Sequence, residues 1–397
     1  MGNTKRLYYI DWLRVTAFLL LILYHTGMFF VPWGFHFKNN ETSELFELWM
    51  VPLNQFRLPL LFMISGMGAF FVLSHRKVAT FINERSTRLM LPLLFGMLVI
   101  VPPQIYFERL TQNVHYDSYF QFWKTVFDFV PYPEGGSLSW HHLWYVLYIF
   151  IYSLLALPLL KFLKGNSSQN LKEKIKTFFS KPGRIYLFGL PLLLTYYCLA
   201  PFFPTTHSLI DDWYNLTYSL IFFIYGMFII SVEGLWDIIE RYRKLSLKIA
   251  LVPFVFLWLF VWGPTFYIMN EETTAFFFFY GFLKITFISC WLLTVLGYSR
   301  ILLNKTNKFL VYATDAVYPF YILHQTVMLI FGYYILQMQI GILPKFILVS
   351  AVTFGGSFIV YELFIKRFNP MRVLFGIKPL KRESKINVLP VTESEKS

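Results

Sequence analysis

The sequence predicts an all-α fold: a polytopic membrane helical bundle of about ten transmembrane helices with both termini cytoplasmic. Three observations carry that prediction. First, 56% of the residues are hydrophobic and only 14% charged, with a mean hydropathy of +0.53, whereas a soluble domain is nearer a quarter charged. Second, aromatics reach 21%, including 46 Phe, a load suited to lipid-facing surface and interfacial belts. Third, the 35 Lys and Arg alternate in position between successive apolar stretches.

The apolar stretches fall at about 11–31, 51–73, 89–107, 143–163, 185–203, 216–232, 247–268, 276–298, 309–333 and 344–365. Each approaches or exceeds the roughly 20 residues that cross about 30 Å of hydrocarbon. The N-terminus, one alternating set of connections and the C-terminus hold 28 of the 35 basic residues. The opposite connections hold only Lys38, Arg109, Lys124 and Lys345, while Arg14, Arg57 and Lys284 lie within spans. Positive residues concentrate on the cytoplasmic side, so the N-terminus and C-terminus are both assigned there. The resulting location is the cell inner (plasma) membrane, crossed many times.

Residues 1–380 read as a single membrane domain and 381–397 as a disordered polar tail. The longest outer segment, 108–142, ends in "YPEGGSLSWHHLW", whose Gly135-Gly136 pair predicts a structured turn into the fourth span. The inner segment 164–184 contains "LKEKIKTFF", predicted as a short helix on the membrane surface. Neither two similar halves nor a 20–50-residue repeat is visible, which weakens a repeat-built transporter. The basic balance is topological and pairs with no soluble reading module, so no nucleic-acid partner is expected. Cys198 and Cys290 fall within spans and indicate neither a disulfide framework nor a zinc site. The opening basic residues and apolar run lack a small-residue cleavage site and read as a retained first helix; "MGNTKR" also misses the myristoylation pattern.

Ionisable residues inside a span are costly and face the bundle interior or a wet cavity. In "IDWLRVTAFLLLILYHTG", Arg14 and His25 lie on one helical stripe roughly 16 Å apart along the axis, with Asp11 one turn before Arg14 and placed to hold it. Topology sets Arg57, His141, His142, Lys284 and His324 at a depth similar to that of His25, with no carboxylate clearly matching them. Scattered anchoring does not produce such a layer, whereas an outward-facing polar site does. At the other end, Arg85 and Arg88 open the third span as an i, i+3 pair, a fork suited to phosphate oxygens when combined with Arg14. A lone pair of this kind is ordinarily an anchor.

An inner phosphate site joined to an outer imidazole site suggests a long nucleotide-headed thioester as donor. An imidazole titrating near neutrality is a natural base for an acceptor hydroxyl, and Arg57, Lys284 or a second histidine would stabilise the oxyanion. Catalysis through Ser65 or a cysteine stays open, although nothing beside either cysteine indicates an activated thiolate.

These residues resemble the membrane acyltransferase-3 family, in particular its glucan-biosynthesis branch. The resemblance rests on R-x10-H (Arg14 to His25) after "YYIDWLR", on "RSTRL" carrying Arg85 and Arg88, and on "RLPLLFMISGMGAFF", "SWHHLWYVLY" and "YPFYILHQTV" in order, over about residues 7 to 365. It implies transfer of an acyl group, succinyl or acetyl, from cytoplasmic acyl-CoA to a hydroxyl of a periplasmic or surface glycan. It also implies His25 as catalytic residue and Arg14, Arg85 and Arg88 as acyl-CoA-binding. Arg57, His141, His142, Lys284 and His324 are then candidates for contacts to the acyl group, the acceptor or the oxyanion. No metal and no cofactor are expected beyond acyl-CoA as co-substrate. No appended soluble domain is expected, so the resemblance leaves acceptor recognition to the outer segments, chiefly 108–142. The competing reading is a transporter or flippase of an anionic metabolite or glycan; a receptor or structural partner fits the layer of cations least.

Overall fold

The computed structural model describes residues 6–263 and 273–380. The described residues are helical throughout, apart from loops and one isolated bridge between Pro131 and Leu138. In chain order the longer helices are α1 (Tyr8–Gly27), α2 (Glu44–Ser74), α3 (Val78–Thr111), α4 (His141–Leu155), α5 (Leu157–Lys164), α6 (Gln169–Ser180), α7 (Arg184–Leu199), α8 (Trp213–Ser231), α9 (Leu235–Trp262), α10 (Thr274–Leu302), α11 (Lys308–Ile335) and α12 (Ile342–Ile365), with short helical turns at Tyr119–Lys124 and Asn369–Leu374. The proposed tail, 381–397, lies outside the described residues.

The main part of each predicted apolar stretch falls on one of these helices or on the α4–α5 pair, which bends by 54°; residues 264–268 of the 247–268 stretch lie outside the described residues. By length and hydropathy, seven are able to cross a membrane: α1, α2, α3, α8, α9, α10 and α12. The bent pair makes an eighth if it counts as one span. Two predicted spans fall short of that standard for opposite reasons. The α7 helix is apolar but short, and α11 is 28 residues long but carries Asp315, His324 and Gln325 among its tyrosines. The stretch "LKEKIKTFF" does form a helix, α6, with no buried residue.

In lipid the apolar effect does not drive helices together, so close backbone approach and polar contacts decide the packing. The α2–α8 crossing shows this. A Cβ on Gly66 would lie 1.8 Å from the carbonyl oxygen of Phe223, and one on Gly226 would lie 1.9 Å from that of Met63. Only glycine permits backbones that close. The first helix is central, packing against α2, α10, α11 and α12 and burying Leu13, Val15, Ala17, Phe18 and Leu21. The polar residues at its two ends are partnered differently: Asp11 and Arg14 pair with one another, whereas His25 meets His324 of α11. Two π-helical turns, Ser86–Met90 and Gly96–Ile100, interrupt α3, an irregularity often found at functional sites.

The 108–142 segment is held by Arg109. Its guanidinium donates to the Tyr116 hydroxyl (2.8 Å), Ser137 Oγ (3.0 Å) and the Gly136 carbonyl (2.6 Å). The predicted turn is present: Gly135 has φ +82°, and a Cβ on Gly136 would lie 1.9 Å from the Val130 carbonyl oxygen.

Candidate active site

A cavity of about 1140 Å³ opens at the end of the bundle where α1 finishes. Histidine 25 from α1, Arg57 from α2, His141 and His142 from the start of α4, and Lys284 from α10 all line it. Five of the sequence-selected residues, drawn from four helices, thus reach one space. His324 is also there but has no exposed surface, lying behind His25 rather than facing the cavity.

The His25 and His324 rings lie nearly parallel, 9° apart, and meet edge to edge with centroids 5.1 Å apart, and His25 Nδ1 lies 2.8 Å from His324 Nε2. The direction of that bond follows from the next one. His324 Nδ1 lies 2.6 Å from the carbonyl oxygen of Tyr321, which only accepts, so Nδ1 carries the His324 proton. A neutral His324 then accepts at Nε2, and His25 donates from Nδ1. This leaves His25 Nε2 as a bare lone pair, with no hydrogen-bond partner among the described residues. His324 on α11 therefore sets which nitrogen of the neutral His25 ring carries the proton.

Arg57 is 5% exposed and sits 3.5 Å from the Tyr24 ring centroid. Its Nη2 donates to Asn54 Oδ1 at 2.9 Å, while Nε and Nη1 are buried without partners. A buried guanidinium with idle donors is costly unless a ligand uses them. Lys284 likewise forms no ion pair among the described residues and rests over Tyr196 and Tyr280. Aromatic groups also line the cavity: Trp144 stacks on His207 at 4.0 Å, and the Trp140 Nε1–H donates to the His207 carbonyl. Asp212 secures this loop, accepting from the Tyr148 hydroxyl (2.5 Å), Asn215 Nδ2 (2.7 Å) and the Thr206 backbone N–H (2.8 Å).

The expectation of a histidine layer without a matching carboxylate is corrected. Glu108, 6% exposed, lies in the layer, 2.5 Å from His36 Nδ1, and accepts from the Tyr132 hydroxyl at 2.6 Å. An amide chain continues inward. Gln325 Nε2 reaches His36 Nε2 (3.0 Å) and Gln104 Oε1 (3.1 Å), and Gln104 Nε2 reaches Thr326 Oγ1 (2.8 Å) and His142 Nδ1 (3.4 Å). His142 Nε2 donates to the Ile322 carbonyl at 3.1 Å, and the Tyr321 hydroxyl donates to the His142 carbonyl. Sequence reasoning missed His36, Gln104, Glu108 and Gln325. The available signal was Glu108 itself, one residue past the apolar stretch ending at 107.

Arg14, Arg85 and Arg88 lie toward the opposite end and do not line the cavity. Arg14 shares Asp11 with Arg6, at 3.2 Å and 2.7 Å respectively, and its Nε is buried without a partner. Neither Arg85 nor Arg88 forms an ion pair with a carboxylate within 4.0 Å among the described residues, although Arg85 sits over the Phe81 ring. Tyr145, which lines the cavity, has its hydroxyl 2.7 Å from Ser65 Oγ and donates to the Leu61 carbonyl.

The acyltransferase-3 family model, which describes an acyltransferase domain, matches residues 7–362. The chain belongs to that family. It is an acyltransferase-family protein crossing the membrane several times. Similar proteins named glucans biosynthesis protein C occur in Escherichia coli K12, at 22% identity over 96% of this chain and 97% of the relative. Those of Shigella dysenteriae serotype 1 (22%; 96% and 97%) and Salmonella typhimurium LT2 (22%; 96% and 98%) are similar to the same degree. No solved structure matched the chain.

Proposed function

We propose that the chain is an integral membrane O-acyltransferase of the inner membrane. It moves a succinyl or acetyl group from cytoplasmic acyl-CoA to a glycan hydroxyl at the outer face, with ten spans and both termini cytoplasmic. The observation that carries this reading is the orientation of His25, whose Nδ1 proton is committed to His324 and whose Nε2 lone pair is unclaimed beside the cavity.

The reaction follows from those atoms. The acceptor hydroxyl gives its proton to His25 Nε2 as its oxygen attacks the thioester carbon. The imidazolium so formed strengthens the Nδ1–H bond to His324 through charge assistance. The carbonyl oxygen becomes an oxyanion, for which the idle Nε and Nη1 of Arg57 are the available donors. Collapse breaks the carbon–sulfur bond, and the departing thiolate recovers the proton from Nε2. The products are the ester and free CoA thiol, with His25 restored.

Arg14, Arg85 and Arg88 suit the donor's phosphates, since guanidinium forks bind phosphate oxygens bidentately. Their separation from the cavity matches a donor long enough to thread the bundle, the Arg14-to-His25 rise being roughly 16 Å. Asp11 holds Arg14. The relatives' name points to a glucan as acceptor class, and the Trp140, Trp144, Tyr214 and Tyr218 wall offers apolar faces for sugar rings.

The test uses membranes containing the full chain, labelled succinyl-CoA or acetyl-CoA, and mass spectrometry of surface glycans from cells with and without the gene. His25→Ala is expected to abolish glycan acylation while inserting and unfolding like the parent. Full acylation by a correctly inserted His25→Ala protein rejects the mechanism. Label movement without ester formation supports the transporter reading instead.

A further inference from the structure

We propose that His36, Glu108 and His141 form a binding site for a divalent cation of the zinc type in the wall of the cavity. One ligand atom from each residue lies within 4.8 Å of the other two. The residues come from three separate places: the irregular segment after α1, the end of α3 and the entry to α4. Their convergence is therefore tertiary, not an accident of helical spacing.

A second observation points independently to a missing ligand. His141 Nε2 is buried without a hydrogen-bond partner, although its Nδ1 is 2.6 Å from Ser139 Oγ. A metal-binding imidazole is arranged this way, one nitrogen on the ion and the other fixed by an outer contact. The backbone at His141 has φ +39°, a conformation rare for a non-glycine residue. The strained turn aims the ring at His36, whose centroid is 4.8 Å away.

The remaining contacts complete the pattern. Glu108 Oε2 meets His36 Nδ1, and Glu108 Oε1 is oriented by the Tyr132 hydroxyl. Two imidazoles and one carboxylate are a ligand set that zinc accepts with a fourth position open. Both His36 and His141 line the cavity, so that position faces the space where an acceptor would sit. On binding, the ion takes the place of the proton between His36 Nδ1 and Glu108. The proton of neutral His36 then resides on Nε2, and the Gln325 amide turns its oxygen to accept it. Cation occupancy is thereby coupled to the amide chain that leads to His142.

This inference stands apart from acyl transfer, because its readout is metal content. The full-length protein in detergent is treated with Zn²⁺, passed through gel filtration and assayed by elemental mass spectrometry. The parent is expected to retain about one zinc per chain and to melt at a higher temperature with zinc than after EDTA. His36→Ala and His141→Ala are expected to lose the metal, and His324→Ala, which disrupts the other histidine pair, to keep it. Co²⁺ provides a check that needs no variant: the parent should show the visible absorption of a low-symmetry four-coordinate ion. The site is overturned by a zinc-free parent, by a parent lacking the cobalt bands, or by zinc retained in a folded His36→Ala/His141→Ala double variant.

Discussion

The imidazoles of His25 and His324 share one hydrogen bond of 2.8 Å across two helices distant in sequence, with their rings nearly parallel. Because His324 is itself anchored to the Tyr321 carbonyl, the pair has a single polarity. The unpaired nitrogen of His25 belongs to the cavity.

Replacing His324 by Ala should reduce the acyl-transfer rate by about 10²–10⁴-fold, the range for disabling a general base. The donor KM should change little. His324→Gln, whose side-chain oxygen can accept from His25 Nδ1, should recover part of the loss. Equal rates for Ala and Gln would remove His324 from the orienting role.

Arg57→Met should lower turnover by roughly 10²–10³-fold, as removal of an oxyanion donor does. Arg57→Lys should restore little, because an ammonium lacks the planar fork. Stopped-assay kinetics on both variants check this, and a purely KM effect would reassign Arg57 to ground-state binding.

Arg85→Ala and Arg88→Ala should raise the acyl-CoA KM by roughly 10–100-fold each, corresponding to about 1.5–3 kcal/mol for a hydrogen bond to a charged group. A dephosphorylated donor analogue should show a smaller penalty. Unchanged KM values in both variants would detach this arginine pair from the donor.

Gly66→Leu should destabilise the protein by at least about 1–3 kcal/mol, the cost of overpacking a fitted contact, because the Phe223 carbonyl already occupies the space. Thermal unfolding in detergent measures it. Substitution at Gly68, where a Cβ meets nothing within 4 Å, serves as the control.

Burial, then the hydrogen bond to Glu108, raises the Tyr132 hydroxyl above its ordinary value. Tyr119 in the same segment is pushed up to about 12 by burial. The unfolded chain ionises these phenols near pH 10, so their stabilisation is complete below pH 10. It fades as the pH rises toward the elevated folded values. Limited proteolysis should therefore find the 108–142 segment protected at pH 8–9 and progressively open above about pH 10. Tyr132→Phe should weaken that protection even at neutral pH.

The histidine layer was legible because helical spans carry depth in their sequence positions: once the ends of α1, α4 and α11 are placed, so are His25, His142 and His324. His36 had no such coordinate, since it sits in an irregular segment whose path no periodicity predicts. Glu108 read as part of a loop although α3 continues through it to Thr111. Likewise, sequence brought His324 to the right depth but not to its task. Depth along a helix does not tell a residue that lines the cavity from one buried behind another side chain; the neighbour that separates them is supplied by packing.

The glycine contact between α2 and α8 has a consequence for the cavity above it. Arg57 lies a little over two turns before Gly66, and Tyr218 a little over two turns before Gly226; both line the opening. The two helices touch backbone to backbone at the glycines and carry cavity walls beyond them, like the arms of a caliper meeting at a fixed pivot. How far Arg57 and Tyr218 stand from one another in the cavity lining therefore depends in part on two glycines that lie away from the lining itself.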